Sequence, residues 1–140
     1  MAEALAALGG AAAASQFINY GFQITQYLSG LYGQMKDAPE TIRIHWSQIQ
    51  EVIVLVTLIK KNQTLQGDPS VSSVLADCIL CAENIEMLLQ KMSVTNRDGP
   101  IKRTKKKLLA VMKEKSTMLL FDRLEQHKST LMICIQRIDS

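Results

Sequence analysis

The stretch AAAASQFINYGFQITQYLSGLYGQM, Ala11 to Met35, carries no charged residue. Glu3 is the only charge before Lys36, and five of the seven glycines (Gly9, Gly10, Gly21, Gly30 and Gly33) fall in the same opening third. Its polar side chains keep a helical rhythm. Gln16, Asn19, Gln23 and Gln26 step by three, four and three, which sets four amides in one narrow stripe. Phe17, Ile18, Phe22, Ile24, Leu28, Leu31 and Met35 cover most of the remaining surface. The pattern predicts a first helix over about residues 2–35, with a break near Gly9–Gly10. A helix so apolar around its circumference belongs either in a core or in a membrane. Unbroken from Leu5 to Leu31 it would span about 40 Å, enough for the hydrocarbon layer of a bilayer. The amide stripe makes it a poor lone span, but in an assembly the amides can face one another or a wet lumen. Each interior glycine costs about 1 kcal/mol against alanine, so this helix depends on its neighbours.

The rest of the chain has the same helical character. KDAPETIR reads as a helix start, with Asp37 as cap, Pro39 in the first turn and Glu40 three residues after the cap. The second helix then runs to about Lys61 on a seam of Ile42, Trp46, Ile49, Ile53 and Val56, a four-and-three stepping. Val52, Leu55 and Ile59 widen that seam. NQTLQGDPSVSS reads as a loop, in which Asp68–Pro69 opens a third helix reaching about Met92. Its seam is Val71, Val74, Cys78, Cys81, Ile85, Leu88 and Met92, flanked by Leu75, Ala82 and Leu89. Asp98–Gly99–Pro100 is turn chemistry. A fourth helix starts near Ile101, and a last segment over about 117–138 carries Leu120, Leu124, Leu131, Cys134 and Ile138, with a kink or break near Lys115–Ser116. With 140 residues, 47% apolar, only 5% aromatic and three prolines, this is one all-α domain over 1–140. It is an antiparallel helical bundle of four to five helices joined by short loops, opening on an apolar N-terminal helix.

Charge is distributed unevenly. Residues 36–93 are mildly acidic, residues 97–115 hold eight basic and two acidic side chains, and the tail is neutral. The basic run KRTKKK contains Lys102, Arg103, Lys105, Lys106 and Lys107. It reads as a solvated helix face or as a contact for anionic lipid, where each basic residue is worth about 1 kcal/mol. No aromatic residue is interleaved with it, so no nucleic-acid partner is expected. Cys78, Cys81 and Cys134 are an odd count without a disulfide framework, which points to a reducing, cytoplasmic compartment. A secretory signal would need a basic leading segment, and only Glu3 stands there. CILC puts Cys78 and Cys81 on the core seam. With His45 and His127 as the only histidines, no zinc set forms, and the cysteines read as core. His127 and Lys128 interrupt the apolar face of the last helix, as a snorkelling pair at its edge or as a polar group tuning bundle opening. No nucleotide-binding, hydrolase or metalloprotease motif is present, so neither an enzyme nor a cofactor is expected.

Three motifs in order carry a family likeness. MAEALAALGGAAAASQFINYG, with the cluster Phe17-Ile18-Asn19-Tyr20-Gly21, resembles the start of HeLo-like domains, particularly the SesA-type N-terminal domains of fungal NLR-like receptors. DAPETIR resembles the opening of that family's second helix. LFDRLEQHKSTLMICIQ, with Leu124, Lys128, Ser129 and Leu131, resembles its closing helix. The likeness implies a helical signalling or effector end of an immune or incompatibility receptor, with a downstream nucleotide-binding module. None lies within these residues, so an excised domain or a stand-alone relative is expected. It further implies programmed cell death by self-association, after which the N-terminal helix inserts into and permeabilises the plasma membrane. Leu5, Leu8, Phe17, Ile18, Phe22, Ile24, Leu28 and Leu31 would then be the membrane-active side chains, and the basic run the hold on anionic lipid. The alternative is a protein–protein interaction module with no membrane step, in which the same helix is permanent core.

Overall fold

A computed structural model describes residues 9–34, 40–96 and 115–139, with side chains over 9–30, 40–90 and 115–138. Five helices and no strand occur among the described residues: α1 (Gly10–Gln34), α2 (Glu40–Lys60), α3 (Gln63–Gln66), α4 (Pro69–Asn96) and α5 (Lys115–Asp139). The protein is an all-α helical bundle. The proposed Asp37 cap, Pro39, the Asp98–Gly99–Pro100 turn and the helix expected from Ile101 lie outside the described residues.

Side-chain meetings fix the helix directions. Gln50 Nε2 donates to Thr25 Oγ1 at 2.9 Å, and Gly21 faces Ile53, so α2 runs back along α1. Gly10 lies against Gln66, at the end of α3 just ahead of α4, and Gln23 lies against Glu86 of α4, so α4 runs in the direction of α1. His45 stacks on Phe121 and Lys128 reaches Glu51, so α5 follows the direction of α2. The chain therefore goes up, down, up, down. Its lateral neighbours, however, are α1–α2, α1–α4, α4–α5 and α2–α5. The short loop between α2 and α4 suggested two packed neighbours, yet these helices make little direct contact. They sit on a diagonal, and α3 carries the chain across the end of the bundle.

That crossing lies inside the stretch read as a loop. Asn62 caps α3, accepting from Leu65 N at 3.2 Å, and Leu65 is fully buried as a plug. Gln66 Nε2 donates to the carbonyls of Ile59 and Lys60 at 3.1 and 2.8 Å, satisfying the frayed end of α2. Asp68 then caps α4 through Ser70 N and Val71 N at 2.9 and 3.1 Å, as its position before Pro69 implied. The core is mostly aliphatic, with two buried phenylalanines. Phe17, Ile24 and Leu28 of α1 meet Ile49, Val52 and Val56 of α2, Leu75, Ile79 and Ile85 of α4, and Phe121, Leu124 and Leu131 of α5.

Two seams are corrected. On α2 the core position belongs to His45, 5% exposed, while Trp46 is 40% exposed. The buried face of this helix is centred between α1 and α5, which rotates Trp46 out to its edge. On α4 the flanking Leu75, Ala82 and Leu89 are buried, whereas Val74 and Leu88 of the seam are only half-buried. This helix touches both α1 and α5, so its buried face is wider than one seam.

Candidate functional site

Helix α1 begins at Gly10, where Gly9–Gly10 was expected to break it. Its faces are segregated. Ala13, Ala14, Phe17, Gly21, Ile24 and Leu28 are buried. Asn19, Gln23 and Gln26 are exposed and Gln16 is half-buried. Helix α1 is therefore a core helix on one side only: the amide stripe is its solvent face. Absence of charge did not mean burial, because a neutral amide is satisfied by water at little cost. Of the expected membrane-active side chains, Phe17, Ile24 and Leu28 are core, Ile18 is half-buried, and Phe22 is 53% exposed beside the amides. Leu5, Leu8 and the side chain of Leu31 lie outside the described residues, as do Lys102, Arg103, Lys105, Lys106 and Lys107.

Two of the α1 glycines mark close approaches. A Cβ on Gly10 would stand 2.6 Å from the carbonyl oxygen of Gln66, and one on Gly21 would stand 2.8 Å from Ile53 Cγ1. A Cβ on Gly30 would meet nothing within 4 Å. Polar ties to α1 are neutral on its side. Thr25 donates to its own turn at Gly21 O, 2.8 Å, while accepting from Gln50 of α2. With its amide nitrogen turned toward α4, the orientation the hydrogen bonding selects, Gln23 donates to Glu86 at 3.0 Å. Glu86 also accepts from Gln90 at 3.1 Å, and burial, then the nearby Glu83, holds its pKa above the usual carboxylate value.

The contact between α2 and α5 is of a different kind. Lys128, whose side chain is 12% exposed, binds both Glu51 and Glu125. Burial lowers its pKa, but its hydrogen bonds to the two carboxylates outweigh that and leave it raised. The snorkelling residue expected at the edge of α5 is thus a pinned bridge between helices, and His127 beside it is half-buried. Below the bridge, His45 of α2 stacks on Phe121 of α5 with ring centroids 3.8 Å apart and planes 11° from parallel. Its Nδ1 meets Gln48 Oε1 at 3.0 Å, while His45 Nε2 and Glu125 Oε2 are buried without a hydrogen-bond partner. Hydrophobic periodicity cannot reveal such a histidine, since it occupies an apolar position.

The three cysteines are free and buried. Burial pushes the Cys78 thiol up to about 12 and that of Cys81 to about 11, and Cys81 Sγ donates to Leu120 O at 3.1 Å. They act here as packing groups. No group of three or more His, Cys, Asp or Glu side chains among the described residues is arranged to hold a metal ion. One described helix is long and apolar enough to cross a membrane by length and composition, and it is the core helix α2, with a mean hydropathy of 1.2. The described part of α1 does not reach that measure, its amides lowering the average. Comparison of the chain with models of known protein families, with curated proteins and with solved structures gives no match.

Proposed function

We propose that this bundle is the signalling or effector domain of an NLR-like immune or incompatibility receptor, and that clustering frees α1 to insert into and permeabilise the plasma membrane. The observation that carries the reading is that α1 has no charged side chain from Gly10 to Gln34, so no ion pair binds it to the bundle. Its departure strands no charge on α1. Its two faces suit an inserted ring, with the amides Gln16, Asn19, Gln23 and Gln26 toward a wet lumen and Phe17, Ile24 and Leu28 toward lipid. The resting state is nonetheless firmly held. Burying Phe17, Ile24 and Leu28 is worth about 1.5–3 kcal/mol each, together comparable with the whole stability of a small domain, about 5–15 kcal/mol. Release therefore has to be driven by assembly and lipid, which is what a clustering receptor supplies. The basic residues Lys102 to Lys107 would add the second membrane signal that stable association requires.

Phe22 offers the test. It is the middle residue of α1 and is exposed in the bundle, so Phe22→Glu leaves the resting fold intact. A charge at the centre of an inserted helix costs about 2.5–3.5 kcal/mol, which predicts leakage of acidic vesicles reduced by about 100-fold when the domain is fused to an inducible oligomeriser. A folded, clustered Phe22→Glu domain that permeabilises vesicles as the parent does overturns the membrane step.

A specific observation favours a second reading, a protein-interaction module. Val54 and Leu58, one turn apart on α2, are 68% and 46% exposed. On that reading clustered domain binds no acidic vesicle, and Val54→Lys abolishes partner capture or self-association.

A further inference from the structure

We propose that His45 is a proton-sensitive latch, whose protonation loosens the contact between α2 and α5. The geometry carries this. The imidazole is 5% exposed, lies flat on the Phe121 ring across the seam, and has one polar partner, Gln48, on its own helix. Its second nitrogen, Nε2, is buried without an acceptor. A neutral imidazole tolerates that site by presenting a bare lone pair. An imidazolium has two N–H donors and a positive charge, and in the closed seam Nε2 has no acceptor within hydrogen-bond reach. The proton therefore favours a state in which the ring is lifted from Phe121 into water.

The surrounding charges do not remove the penalty. From α5, Asp122 favours the charged ring. Glu51 and Glu125 are paired with Lys128, Glu125 through Oε1 while its Oε2 is buried and makes no hydrogen bond to the ring, and Arg123 acts on Cys81. From α4, Glu86 is engaged by Gln23 and Gln90, with Glu83 beside it, and Asp77 lies on the exposed face. The described residues of α1 contribute no charge. On balance burial holds the His45 pKa below its ordinary 6.5, against the opposing effects of Gln48 and Asp122. The sign follows. An opened seam restores the pKa toward 6.5, so the closed form keeps its full advantage above that pH. It loses the advantage as pH falls from 6.5 toward the lowered value. One linked proton limits the change to about tenfold in the opening equilibrium per pH unit.

The test is hydrogen exchange of α5 amides between pH 7.5 and 5, corrected for intrinsic rates, alongside the imidazole titration followed by NMR. In the parent, α5 opening rises toward tenfold per pH unit below 6.5, and His45 titrates below 6.5. In His45→Gln that rise is absent, while His127→Gln retains it. Equal pH slopes in the parent and His45→Gln overturn the proposal. So does a His45 that titrates at 6.5 or above, a measurement on the parent that holds even where the variant does not fold. A pH effect spread uniformly over all helices refutes the local latch.

Discussion

The glycines of α1 make a sharp test of how it packs, because alanine at two of them should act in opposite directions. Both Gly21 and Gly30 lie inside the helix, and each should gain about 1 kcal/mol from alanine by backbone propensity alone. At Gly30 the added Cβ meets nothing within 4 Å, so the gain is realised in full. At Gly21 the Cβ would stand 2.8 Å from Ile53 Cγ1 and 2.9 Å from Cδ1, distances real Cβ atoms do not adopt. Ile53 is 7% exposed and β-branched, so its rotamer is stiff and α1 and α2 must part slightly. Such overpacking costs about 1–3 kcal/mol, cancelling or exceeding the propensity gain. Gly30→Ala is therefore stabilising by about 1 kcal/mol, and Gly21→Ala neutral to about 2 kcal/mol destabilising. For a domain of this size 1 kcal/mol is about 3–5 °C in Tm, so thermal and denaturant unfolding resolve the two. If Gly21→Ala is as stabilising as Gly30→Ala, α1 and α2 do not approach through that glycine, and the reasoning about its place in the sequence fails.

Two further outcomes follow from the seam and the core. Lys128→Met leaves Glu125 and Glu51 without their cation and should cost about 1–3 kcal/mol in a denaturant titration. Because the folded Lys128 pKa is raised, its contribution is complete below 10.5 and fades as pH climbs through the folded value, a loss the variant should lack. Cys78, with its thiol pushed up to about 12, should resist alkylation at pH 8 in the native protein and react at once in denaturant, as read by mass spectrometry.

Much of the bundle was legible in the sequence, for reasons that differ by element. The periodicity of α2, α4 and α5 is long enough to define a face, and Asp68–Pro69 is a start signal whose hydrogen bonds the structure contains. α3 was illegible because four residues hold no period, and its single apolar side chain, Leu65, matters through position at the end of the bundle. Trp46 was misplaced because a large apolar residue fits any seam at four-and-three spacing, while His45, one residue earlier, was passed over as polar. The Lys128–Glu51 bridge joins residues 77 positions apart, a pairing that only the tertiary arrangement creates. For α1 the amides were located on one stripe, but the pattern left open which side of the helix faces solvent in the bundle. A stripe that breaks an apolar pattern says where the helix changes character, not which side faces water.

That last point bears on the proposed membrane step, which would require one sequence to serve two states. The α2–α5 contact rests on Lys128 between two carboxylates, so separating these helices leaves partly desolvated charges to be rehydrated in a defined way. The α1 contacts rest on apolar area and on hydrogen bonds to which α1 contributes only neutral groups. Apolar area is indifferent to the identity of its partner: the surface of Phe17, Ile24 and Leu28 that meets α2 and α4 is equally satisfied by lipid or by another helix. The amide face accepts water, as in the resting bundle, or another amide. A charge anywhere in α1 would favour the aqueous state by several kcal/mol and tie the helix to one environment. Its absence over 25 consecutive residues meets a physical condition that the proposed exchange between environments would require, and the close approaches at Gly10 and Gly21 favour the bundled state against it.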